Sequence, residues 1–158
     1  MNLIALAPDW LFFIYCAILL AAAGQDIWQM KISNYLVLAL LGAAVVAALV
    51  VGPEIDLWKN LLILVVGLAV GTAVFAAGIM GGGDVKLTVA AAVWFLWTDA
   101  LMLLLLITLS GVVVIIFAVV ARLMGWGKKE RGRMISYGVA VAMGGIAMAA
   151  FERGLIAA

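Results

Sequence analysis

Asp26 and Asp84 are the residues from which chemistry can be built. The chain has no histidine and a single cysteine, Cys16. That removes Ser–His and Cys–His nucleophilic arrangements, and it leaves no Cys/His set for zinc. Neither a metal nor a cofactor is expected. Carboxylates remain. Asp9, Glu54, Asp56, Asp99 and Glu152 fall at one set of span ends, and Asp26, Asp84 and Glu130 at the other. Glu130 lies among Lys128, Lys129 and Arg131 and reads as a solvated loop charge. Two aspartates held close on one face share a proton, because like-charge repulsion separates their titrations. The ionised member activates a water; the protonated member polarises a carbonyl and assists the leaving amine. Such a pair suits aspartic peptide hydrolysis. Each aspartate also has a plainer account. Asp26 can be an interfacial charge paired with Lys31. Asp84 follows Gly81, Gly82 and Gly83, which suit a tight turn or a close backbone approach, and it can simply cap the next helix.

The elements that must position these groups are membrane helices. Of 158 residues, 70% are hydrophobic and only 11% charged. Charge-free runs cover 32–53, 60–83, 100–121 and 134–151, and a spanning helix needs about 20 apolar residues. Alternating β-barrel segments are absent. The expectation is therefore an all-α, polytopic membrane helical bundle, a single domain over 1–158, with spans near 10–24, 35–51, 61–78, 85–97, 100–121 and 137–151. The fourth is the shortest and can also be read as re-entrant. The basic n-region of a signal peptide is missing, so the first span is expected to stay uncleaved. With six crossings, Lys31, Lys86, Arg122, Lys128, Lys129, Arg131 and Arg133 share one side against Lys59 and Arg153. The positive-inside rule puts that side in the cytoplasm and both termini outside.

Trp10, Trp28, Trp58, Trp94, Trp97 and Trp126 fall near span ends, as interfacial anchors do. Gly67 and Gly71 form a GxxxG pattern that permits close helix packing. Cys16 lies among apolar residues and reads as a small buried or lipid-facing side chain. The 127–133 stretch reads as an orientation signal with affinity for anionic lipid. A net charge of +1 gives no reason to expect nucleic acid as a partner. The uncharged stretches 10–25, which ends at Asp26, and 87–98, which follows Asp84 and Lys86, span roughly 24 and 18 Å, less than the roughly 30 Å hydrocarbon core. A carboxylate drawn below the headgroups is a functional candidate.

Gly81-Gly82-Gly83-Asp84-Val85-Lys86-Leu87 resembles the GxGDxKL signature of the type IV prepilin peptidases, a family of GxGD membrane aspartic peptidases. The segment from Asp26 to Asn34 resembles the context of that family's first aspartate, with Ser33 where proline is usual. Ser136-Tyr137-Gly138 resembles its PYG-like element, again with serine for proline. These replacements are expected to loosen the turns that open the second and sixth spans, because proline fixes φ. The resemblance implies Asp26 and Asp84 as the catalytic pair, supported by Gly81, Gly82, Gly83, Lys86, Asn34, Tyr137 and Gly138. It implies the short, peptidase-only form that serves Flp pili, in a bacterial inner membrane. The substrate would be a prepilin with a short leader, cut at the cytoplasmic face. Membrane lipids and pilus or type II secretion assembly machinery are the further partners it implies.

Two other readings stand beside it. A small proton-coupled transporter would use the aspartates as relay groups and place acids deep within spans. A non-catalytic membrane scaffold needs only the charge distribution and tolerates Asp84→Asn.

Overall fold

A computed structural model describes residues 1–52, 57–124 and 137–156. Seven helices occur among them: α1 (Leu3–Leu6), α2 (Asp9–Gln29), α3 (Asn34–Val51), α4 (Leu57–Ala76), α5 (Gly82–Ala92), α6 (Asp99–Leu123) and α7 (Tyr137–Glu152). No strand occurs among the described residues. Glu54, Asp56, Trp126, Glu130, Ser136 and the basic stretch 127–133 lie outside them.

α2, α3, α4 and α6 are each long and apolar enough to cross a membrane. Their outward faces carry exposed Phe13, Leu49, Leu61, Val65, Leu101, Val112 and Phe117. A contiguous apolar surface of that kind is covered by lipid rather than water. The 16 residues of α7 rise about 24 Å and the 11 of α5 about 16 Å.

α5 is the most enclosed element. Asp84, Val85 and every residue from Leu87 to Ala92 are buried. It packs against α4, α3 and α7. A helix too short to satisfy a bilayer by length is thus wrapped in protein, where irregular backbone at its ends is tolerated. The Gly67/Gly71 pair meets α5 as the GxxxG spacing led us to expect. Carbon added at Gly67 would lie 3.1 Å from both methyls of Val89.

Two expectations are corrected. α2 does not stop near Gly24 but runs to Gln29, so Asp26 lies inside the helix rather than beyond its end. Met30, in the left-handed region at φ 53°, closes it with its amide on the Asp26 carbonyl. The first span, at 21 residues and about 31 Å, is therefore not short. Nor is Trp94 an interfacial anchor. It is fully buried, stacks edge-on with Tyr15 at 5.2 Å and donates Nε1–H to the Leu40 carbonyl at 3.3 Å. An indole is held in a core when its one donor finds an acceptor there. Trp10, Trp28, Trp58 and Trp97 are exposed, as expected. Cys16 is half-buried against the core.

The termini meet at one end of the bundle. The Met1 amino group donates to Asn60 Oδ1 at 3.1 Å, and Asn60 Nδ2 donates to the carbonyls of Met1 and Val93 at 2.9 and 2.7 Å. Asn2 donates to Glu152 at 2.6 Å. Arg153 donates to the carbonyls of Ile4 and Ala7, pairs with Asp9, and lies 4.9 Å from the Phe12 ring.

Candidate functional site

The opposite end gathers the polar residues singled out in the sequence. α2 contributes Asp26, only 5% exposed, and α5 contributes Asp84, only 3% exposed. A carboxylate that far from water is costly unless it is partnered, and each has interactions in the structure. For Asp26 one partner is the Gly138 amide, which donates to Oδ2 at 2.8 Å. Gly138 is the second residue of α7. The first amides of a helix have no partner within it and carry the positive end of the helix dipole. α7 thus aims an unsatisfied donor at an acidic oxygen.

Residue type makes this approach feasible. A Cβ at position 138 would lie 2.9 Å from both Cβ and Oδ2 of Asp26. The rest of α7 buries Ala140, Ala142, Gly144, Gly145 and Ala149, so its backbone seats closely between α2 and α6. Tyr137 is half-buried beside Gly138. The N-terminus of α7 therefore bears on Asp26, and α7 also packs against α5, the helix that carries Asp84.

The segment after Asp26 runs beside the start of α5. A Cβ at Gly83 would meet Ile32 Cβ at 3.2 Å. Lys86 Nζ donates to Asn34 Oδ1 at 3.1 Å. Gly81 is the residue that caps α5, in extended conformation with no side-chain bond, so Asp84 is not the cap. It is the third helical residue, in the first turn, where a negative charge suits the dipole. Gly82 lies against the Phe75 ring of α4, 3.5 Å from where its Cβ would be.

Ser33 is not a loosened proline site. Its Oγ caps α3 by accepting from the Tyr35 amide at 3.2 Å. Its own amide donates to Gln25 Oε1 at 2.8 Å, a bond that proline, lacking N–H, is unable to make. Gln25 does not stand out in the sequence, although a polar residue beside Asp26 in an otherwise apolar helix is a signal; Ile32 lies within the segment from Asp26 to Asn34 that carries the resemblance. All the candidate residues are thus placed, and all lie at this end; their neighbour Ser136 lies outside the described residues.

A model of the type IV leader peptidase family matches residues 13–119. The match takes in both aspartates and the glycines before Asp84. Neither a curated protein nor a solved structure matches the chain.

Proposed function

The chain belongs to the type IV leader peptidase family, and from that premise we propose that it is a membrane aspartic endopeptidase. It removes the short leader of a prepilin of the Flp or type IV kind at the cytoplasmic face of a bacterial inner membrane. Asp26 and Asp84 are the catalytic pair. The observation that carries this reading is two buried carboxylates at one end of the bundle, with the Gly138 amide on one of them.

In this mechanism the two carboxylates hold one proton between them. The ionised carboxylate takes a proton from a water as its oxygen attacks the scissile carbonyl carbon. The protonated carboxyl donates a hydrogen bond to the carbonyl oxygen. Collapse of the tetrahedral intermediate breaks the C–N bond, and the proton goes to the leaving amine. Gly138 fixes the orientation of Asp26. Lys86, tied to Asn34, holds the start of α5 against the start of α3.

A site at one end of the bundle suits a substrate whose leader is aqueous and whose next segment is apolar. Six crossings with both termini outside fit the opposed placement of the aspartate cluster and the Arg153 cluster. Acids confined to the two ends of the bundle, with Asp26 and Asp84 together at one of them, weigh against a relay through the bilayer, and burial of both aspartates weighs against an indifferent scaffold.

Co-expression with candidate prepilins tests the assignment. Wild type is expected to shorten its prepilin, while Asp26→Asn and Asp84→Asn each insert normally and leave the leader in place. Full cleavage by either variant would sink the pair.

A further inference from the structure

α5 carries Asp84 but has little to hold it in place by itself. It is 11 residues long, begins with glycines, and ends in a turn at Val93–Phe95. α4 grips it at both ends. At the outer end Asn60, buried in α4, donates to the carbonyls of Val93 and Phe95 where α5 stops. Toward the aspartates, the face of α4 bearing Gly67 and Gly71 receives Val89 and Val85. Val85 is the residue next to Asp84.

The contact at Gly71 leaves no slack. A Cβ there would overlap Val85 Cγ1 outright, and it would also meet Val85 Cβ at 3.5 Å. Valine is stiff at χ1 in a helix, so the side chain has no easy rotation out of the way. Relief must come from moving α5 off α4. α4 itself packs chiefly on α5 and turns most of its surface outward, so the contact between them is the register that α4 imposes.

We propose that α4 sets the position of Asp84, and that Gly71 is the positioning residue through which it does so. The atoms nearest to where a Cβ would stand at Gly71 all belong to Val85, and it is through Val85 that Gly71 acts. The role rests on the peptidase reading where activity is measured, but the geometry is testable without it.

The test uses two readouts on Gly71→Ala, Val85→Ala and the double variant. Cleavage kinetics are measured in detergent on a purified prepilin. Proximity is measured in a Cys16→Ala background carrying Ile32→Cys and Gly83→Cys, by the rate of disulfide formation; a Cβ at position 83 lies 3.2 Å from that of residue 32, near the separation a disulfide bridges. Gly71→Ala is expected to lower kcat about tenfold or more, the scale of a small misplacement of a reacting group, with KM little changed. It is expected to slow the 32–83 disulfide as well. Adding Val85→Ala removes the methyl that clashes, and should return both readouts to near wild type. That rescue separates displacement from general misfolding, since a second truncation would worsen a merely destabilised bundle. Unchanged kinetics and unchanged cross-linking in Gly71→Ala overturn the proposal, as does a double variant no better than the single. A wild type that cleaves no prepilin overturns the peptidase reading instead, and the cross-linking rates then decide the role of α4.

Discussion

A methyl group at position 138 would sit against the Asp26 carboxylate. With Cβ placed 2.9 Å from Asp26 Oδ2 and Cβ, Gly138→Ala must push α7 from α2 or turn the carboxylate away from its amide donor. Either displaces a reacting group by a fraction of an ångström to an ångström, which costs up to about 100-fold in rate. Prepilin cleavage by Gly138→Ala should fall on that scale while the amount of inserted protein holds. Activity within twofold of wild type would show that the amide does not orient Asp26. The two aspartates were legible in the sequence because a charge in an apolar chain needs a reason. The amide was not, since a main-chain donor has no side-chain signature; only the closeness of α7 to α2 makes it a partner.

Helix ends are where sequence and structure part most. Ser33 in place of proline suggested a loose turn, yet the residue makes a cap to the Tyr35 amide and a bond to Gln25. Two local hydrogen bonds replace the rigidity a ring would supply. Ser33→Ala removes the cap and should lower stability by about 1 kcal/mol, read as a fall in the midpoint of thermal unfolding in detergent. The Gln25 bond uses the backbone amide and survives that change, so a shift several times larger would mean the hydroxyl does more than cap. α2 was expected to end near Gly24 because Gln25 and Asp26 interrupt the apolar run. It continues to Gln29 because both side chains find partners inside the fold. Trp94 was misplaced for the related reason that hydropathy does not reveal where an indole N–H finds its acceptor.

The bundle as a whole keeps its two polar clusters apart. Arg153, Asp9, Asn2 and Glu152 meet at one end, and Asp26, Asp84, Asn34 and Lys86 at the other. Thiol labelling in the Cys16→Ala background checks the orientation. A membrane-impermeant reagent should reach Lys31→Cys only from the cytoplasmic side and Leu155→Cys only from the opposite side; labelling of both from one side would contradict six crossings. By itself the sequence determined the solvent of this protein, its helical class and its chemical candidates. Long uncharged runs admit no other backbone in lipid, and a chain without histidine leaves its carboxylates as the groups for hydrolysis. Tertiary structure decided which helix is enclosed, which glycine faces which carboxylate, and how α4 holds α5. Those depend on the approach of backbones distant in sequence, and in lipid such approach is governed by packing shape, which hydropathy along the chain does not encode.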